Sequence, residues 1–252
     1  MCGIAGIWDF NNRSSRNLLA KEVNDMANNI KSRGPDSFGS WVDEECGIAL
    51  SHRRLAIQDL SKNGHQPFLS KSGRYVIVFN GEIYNHRLLR KDLSKRNTKN
   101  IPWKSNSDTE TILACIEEWG LNYSLEKFSG MFSFALWDRK NRSIFLVKDR
   151  FGEKPLYYGF KFFNNRTSKS LVFASDLKAF RALKGYQINI NNSAVESFIN
   201  QGFISAPLTI EDGINQLLPG HYLEINYKNI ESLEYRNLNT KKWWDPLEIS
   251  QS

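Results

Sequence analysis

A cysteine at position 2, directly behind the initiator methionine, is the residue with the most chemistry to offer. Methionine is usually removed ahead of a small residue, which would leave Cys2 with a free α-amine beside its own thiol. Nucleophile and general base then sit on one residue, the logic of N-terminal nucleophile catalysis, and no histidine partner is required. The amine has an ordinary pKa of about 7.7–8.0 and the thiol about 8.5, so a proton passes between them at little cost near neutral pH. The plain alternative is a buried structural thiol, since free cysteine is among the most buried residue types.

Three further places carry chemistry. Arg53 and Arg54 are adjacent inside an otherwise apolar, β-like stretch (51–57). In a strand they point to opposite faces, so one suits solvent and the other a pocket. An inward arginine needs an anion, and its planar fork matches a carboxylate. Two surface arginines are the plain alternative. Asn80-Gly81, between the run at 74–79 and Ile83-Tyr84, is a strong hairpin signal. Such a turn also sets a side-chain amide beside a backbone N–H, and two donors aimed at one point form an oxyanion hole. Asp108 follows Ser107, with Glu110 three residues beyond the Ser, the capping-box spacing. Asp108 either complements the helix dipole or binds an ammonium group.

These residues need a scaffold. Ile4, Ala5, Ile7 and Trp8 predict a buried first strand that keeps the terminus from fraying. Leu19, Val23, Met26, Ala27 and Ile30 have a helical period over 16–31, ended by Gly34-Pro35. Short strands are expected at 38–42 and 47–50, a polar loop at 58–67 and a strong strand at 74–79. Helices are expected at 86–95, from 107 to a stop at Gly120, and at 124–128, with an irregular loop at 96–106. Then the chain turns β: 131–137, 143–148, 156–159 and 171–174, with a polar hairpin tip at 161–169. Short helices at 176–183 and 192–200 precede a final hairpin of 216–226 and 232–236. Strands in runs and helices in pairs predict an α+β fold with antiparallel sheet rather than alternating βαβ units.

Composition narrows the function classes. At 252 residues the chain can bury a full core. Apolar residues make up 40% and aromatics 13%, which excludes a disordered chain. No run of eighteen apolar residues exists, so no membrane span is expected. The N-terminus lacks the charged segment and apolar core of a signal peptide. Three cysteines (Cys2, Cys46, Cys115) are sparse, odd in number and without metal spacing, which fits a reducing, cytoplasmic setting and no metal site. The net charge of +7 is scattered, with local concentrations at 87–104 and 161–169, so it reads as solvated surface rather than a nucleic-acid footprint.

Eight motifs occur in order: Cys2-Gly3-Ile4, RGPD (33–36), SHRRL (51–55), GHQPF (64–68), FNGEIYN (79–85), SDTE (107–110), GMFSFALWD (130–138) and KDRFGEKPLYY (148–158). Together they resemble the glutaminase half of glutamine-hydrolysing asparagine synthetases, which are class II glutamine amidotransferases. The resemblance covers about 2–210, which sets the expected glutaminase domain, with 211–252 an extension or linker toward a synthetase domain. It implies a four-layer αββα N-terminal-nucleophile hydrolase sandwich with two antiparallel sheets. It implies that Cys2 attacks the glutamine side-chain amide and that Asn80 and Gly81 hold the oxyanion. Arg54 would grip the substrate carboxylate and Asp108 its ammonium, with Leu55, Ala56, Ile57 and Glu82 lining the same pocket. The ammonia would go to a synthetase domain or subunit, with aspartate the first candidate acceptor and asparagine the product. ATP and Mg belong to that other half. These residues contain no Gly-Gly dipeptide and no other phosphate loop, so no cofactor is assigned to them. Apolar groups at 217–219 and 243–244 are expected to be exposed where the partner half is missing, and a homodimer is a second option. Other readings are a silent scaffold with Met1 retained, an ammonia donor to a different amidation, and a hydrolase of another amide.

Overall fold

Hydrophobic alternation resolves into two six-stranded antiparallel sheets in a computed structural model that describes residues 1–11, 14–57, 59, 61–96, 102–163, 168–230 and 238–249. Along the chain the strands are β1 (Gly3–Asp9), β2 (Ser37–Asp43), β3 (Ile48–Arg54), β4 (Phe68–Leu69), β5 (Tyr75–Ile83), β6 (Gly130–Asp138), β7 (Ser143–Lys148), β8 (Tyr157–Phe163), β9 (Ser168–Ala174), β10 (Ile214–Gln216), β11 (His221–Asn226) and β12 (Thr240–Lys242). The first sheet runs β10-β8-β9-β1-β3-β2 and the second β12-β11-β7-β6-β5-β4.

Period-2 side chains divide the core into three clusters. Between the sheets, Ile4, Trp8, Ile48, Leu50 and Phe173 of the first meet Val76, Val78, Trp137, Leu146 and Leu223 of the second. Trp8 and Trp137 touch edge-on across the gap, centroids 4.9 Å apart. The opposite residues of the first sheet, Ala5, Ile7 and Ala49, bury Leu19, Val23 and Met26 of helix α1 (Arg16–Asn29). The outer face of the second sheet, through Ile77, Phe79 and Phe134, packs on α2 (His86–Arg96), α3 (Asp108–Trp119) and α4 (Leu121–Lys127). The layers are therefore αββα, as expected. Among the described residues the remaining α-helices are α5 (Asn192–Gln201) and the short α6 (Pro246–Ile249).

Several expectations change. Asn80-Gly81 is not a hairpin turn. It lies inside β5, where Asn80 pairs Ser133 and Gly81 pairs Phe132. The ladder to β6 runs on to Ile83, and a Cβ on Gly81 would sit 2.3 Å from the Met131 carbonyl, so sheet packing rather than a turn fixes this glycine. The capping box is half made. Ser107 Oγ accepts the Thr109 N–H, but Glu110 accepts the N–H groups of Lys104 and Ser105 instead of reaching back to Ser107. The stretch at 176–183 forms a 3₁₀ helix, Leu177–Ala182. Residues beyond 210, read from the sequence as an extension, supply β10, β11 and β12, and β11 sits between β7 and β12 inside a sheet. Leu217 is fully buried and Trp243 stacks on Phe132, while Leu218, Trp243 and Trp244 are half-buried and Pro219 is exposed, so the expected exposure is only partly realised. The expected strand at 232–236 and residues 164–167 of the tip at 161–169 fall outside the described residues.

Candidate active site

The same alternation that builds the core aims the reactive side chains. On β1, Ile4 and Trp8 face the second sheet, and Cys2 lies two residues before Ile4, on the same side. The Leu55 N–H donates to Cys2 Sγ at 3.4 Å, and the thiol sits 3.6 Å from the Leu55 carbonyl. Arg33 Nε donates to the Cys2 carbonyl at 3.1 Å, and Asp36 accepts the Ala56 N–H at 2.8 Å. The RGPD turn thus anchors both the terminus and the loop that cradles the thiol. Burial pushes the Cys2 thiol up from its ordinary value. The Leu55 N–H, the terminal ammonium and the Arg54 guanidinium pull the other way.

On β3, Ile48, Leu50, His52 and Arg54 share the inward side, whereas Ala49, Ser51 and Arg53 face α1. Arg53 is buried, donates Nε to the Ala27 carbonyl at 3.1 Å, bonds Asn28 and lies over the Phe38 ring. Neither arginine therefore takes the expected solvent face, because α1 covers that side of the sheet. Arg54 lines the cleft with Cys2. Two of its five N–H donors go to the Ser61 carbonyl, at 2.9 Å, and to that of Asp59, which orients the fork. Gly64 allows this approach, since a Cβ there would meet the guanidinium at 2.3 Å.

On β5, Val76 and Val78 face inward, and Asn80 and Glu82 follow in the same row. Asn80 is buried, and its Nδ2 has no hydrogen-bond partner among the described residues. A buried unpaired donor is costly, so its retention at the cleft marks a place where an acceptor belongs. The backbone of Gly81 faces the same opening. Phe132, its partner on β6, directs its own N–H and carbonyl to Asp149, at 3.2 and 2.8 Å. The Gly81 pair is thus of the non-hydrogen-bonded kind, and its N–H projects from the free edge of β5. The Phe79 and Ile83 amides, two residues either way, project likewise, to Gln66 Oε1 at 2.7 Å and Asp108 Oδ2 at 2.8 Å.

Asp108 opens α3 at the far end of the cleft and is buried. Burial lifts its carboxyl to about 6, against the pull of the Ile83 and Thr109 N–H groups. Cys2, Arg54, Leu55, Ile57, Asn80, Gly81, Glu82 and Asp108 all line one cleft of about 140 Å³. Ala56 does not, its N–H being turned to Asp36. Gln66, Thr109, Met131 and Lys154 line it too. The sequence assigns them no role, although all four lie within the motifs quoted above, because a motif string does not say which member turns inward. A larger cavity, about 200 Å³, lies between β4, α2 and α3, and it contains none of these groups. Among the described residues no cluster of His, Cys, Asp and Glu is arranged to hold a metal, and no helix is long and apolar enough to cross a membrane.

One cleft thus brings together a thiol, a cation, an anion and two unshared N–H donors. That set fits nucleophilic attack on the amide of a free amino acid. The model of the glutamine amidotransferase domain family matches residues 1–244. The chain is 34% identical over 244 residues to glutamine-hydrolysing asparagine synthetase 2 of Bacillus subtilis, covering 90% of this chain and 29% of that protein. It is 33% identical to a putative glutamine-hydrolysing asparagine synthetase of Methanocaldococcus jannaschii, covering 97% of this chain and 47% of that one. It therefore spans less than half the length of these relatives. Among solved structures, glutamine phosphoribosylpyrophosphate amidotransferase of B. subtilis superposes with a TM-score of 0.64 over 96% of this chain and 49% of that one, at 17% identity, a likeness of fold.

Proposed function

The chain belongs to the class II glutamine amidotransferase family, and from that premise we propose that it hydrolyses glutamine to glutamate and ammonia through a thioester on Cys2. The ammonia then amidates a carboxylate on a synthetase domain or subunit, with aspartate as the acceptor and asparagine as the product. The observation that carries the reading is the buried, unpartnered Asn80 amide in the cleft that also holds Cys2, Arg54 and Asp108.

Removal of Met1 frees the Cys2 amine. With glutamine bound, its α-carboxylate meets the Arg54 fork and its α-ammonium meets Asp108, which places the side-chain amide over the thiol. The amine takes the thiol proton as Sγ adds to the amide carbon. The Asn80 Nδ2–H and Gly81 N–H stabilise the resulting oxyanion. Collapse breaks the C–N bond, and the amine's proton goes to the departing nitrogen, which leaves as ammonia. The freed amine then deprotonates water, which adds to the thioester. The second collapse expels the thiolate, reprotonated by the ammonium, and glutamate departs. Because burial holds the Cys2 thiol up, a base at short range is needed to remove its proton.

The test is glutamate and ammonia release by the chain with Met1 removed, verified by intact mass, beside Cys2→Ala. Activity that survives in Cys2→Ala would refute the thioester route. A demethionylated chain that releases nothing would refute glutamine hydrolysis by this chain alone and point to a cleft that needs a partner half or to a relic, whereas the silent scaffold predicts that Met1 stays in place. The acceptor is tested by following label from the glutamine amide nitrogen into asparagine in cells. Label that reaches another amide, and not asparagine, would reassign it.

A further inference from the structure

Two buried side chains beside the cleft have no part in the reaction above. β4 pairs β5 only at Ile77 and Val76, so beyond Ile77 the edge of β5 has no neighbouring strand. There Gln66 Oε1 accepts the Phe79 N–H at 2.7 Å, and His52 Nε2 lies 3.0 Å from the Phe79 carbonyl. A carbonyl only accepts, so Nε2 carries the proton. Burial drops the ring to about 3, so it is neutral and the tautomer is fixed. His52 reaches this carbonyl from β3, across the gap between the sheets. Gln66 also donates Nε2 to Thr109 Oγ1 at 3.3 Å, next to Asp108. Side chains thus do for Phe79 what a seventh strand would do.

Resting on the glutaminase reading, we propose that Gln66 and His52 are positioning residues that clamp both backbone groups of Phe79 and so fix where Asn80 and Gly81 aim their donors. Asn80 follows Phe79 directly, and its Nδ2 has no partner among the described residues to hold it. A shift of Phe79 is therefore transmitted to both donors.

The experiment compares Gln66→Leu with Gln66→Glu and His52→Leu with His52→Gln. Misplacing donors by a fraction of an ångström to one ångström lowers turnover, so each Leu variant should lose about 10- to 100-fold in kcat. KM for glutamine should stay within about threefold, because the ground state does not use the oxyanion donors. Gln66→Glu should recover most of kcat, since its carboxylate accepts the Phe79 N–H while the Thr109 hydroxyl turns to donate. His52→Gln should recover part of it by presenting an N–H at the Nε2 position. Leu variants with wild-type kcat, or with a raised KM at unchanged kcat, would overturn the proposal. Backbone hydrogen exchange at Asn80 and Ile83 reads the clamp without turnover: faster exchange in both Leu variants is expected, and wild-type rates would overturn it. A wild-type chain that releases no glutamate would sink the glutaminase reading while leaving the exchange result to decide the clamp.

Discussion

Replacing Asp108 by Asn should stabilise this protein while crippling it toward glutamine. The carboxyl is 5% exposed, and burial raises it from 3.8 to about 6. A rise of about two units corresponds to a cost of about 3 kcal/mol for keeping the group ionised in the folded protein. For an acid whose folded pKa lies above its unfolded one, the native state holds more protons between the two values, so stability falls as pH rises through that window. The cost is absent below about pH 4 and complete above about pH 6. Asn keeps a carbonyl for the Ile83 N–H and carries no charge. Urea unfolding of Asp108→Asn against wild type should therefore show a gain of about 1–3 kcal/mol at pH 7.5 that shrinks to nothing near pH 4. For a chain of this size that is about 2–4 °C in Tm per kcal/mol. In the same variant the ammonium loses its partner, and a charge-assisted bond of about 1.5–3 kcal/mol converts to about a 10- to 150-fold loss in kcat/KM. In wild type, kcat/KM should fall on the acid side through the Cys2 amine and, lower down, through a second ionisation near 6, and Asp108→Asn should lack that second ionisation. A variant less stable than wild type at pH 7.5, or a difference that does not vary with pH, would refute the account of the buried charge.

Asn80→Ala should lower kcat by about 10²–10³ with little change in the urea midpoint, because the deleted Nδ2 has no partner among the described residues; a large destabilisation would show that the amide is structural. Arg54→Ala should raise the glutamine KM, whereas Arg53→Ala should leave KM alone and lower Tm, since it removes bonds to α1 at Ala27 and Asn28. Steady-state kinetics and melting of the two proteins would check this, and the opposite ranking would reverse the facing of β3. Gly81→Ala places a Cβ 2.3 Å from the Met131 carbonyl and should cost roughly 1–3 kcal/mol of stability together with activity. Wild-type melting and turnover in that variant would mean that β6 yields without moving the donor.

Much of the scaffold is written locally. Leu19, Val23, Met26 and Ala27 recur at helical spacing and are buried at that spacing. The Ser107 start and Gly120 stop of α3 depend only on neighbouring residues and match the structure. Alternation alone put Arg53 and Arg54 on opposite faces. Where a residue's role depends on what lies across from it, local rules misread it. Asn-Gly favours a tight turn in isolation, yet β6 pairs every residue through Ile83, and the ladder outweighs the turn preference. Glu110 has the spacing to reach back to Ser107, but the Lys104 and Ser105 amides lie within its reach and take it. β11 lies inside a sheet because β7 leaves an edge for it, a fact that resides in β7.

The sequence by itself determined the residue types of the chemistry, their order and the period that aims each side chain up or down. Only the tertiary structure decided that Cys2, Arg54, Asn80 and Asp108, from three strands or their ends and one helix start, share a cleft. The reason is that convergence needs two sheets stacked at a set spacing and register. Those depend on long-range packing between Trp8 and Trp137 and their neighbours, which periodicity along one chain segment does not encode.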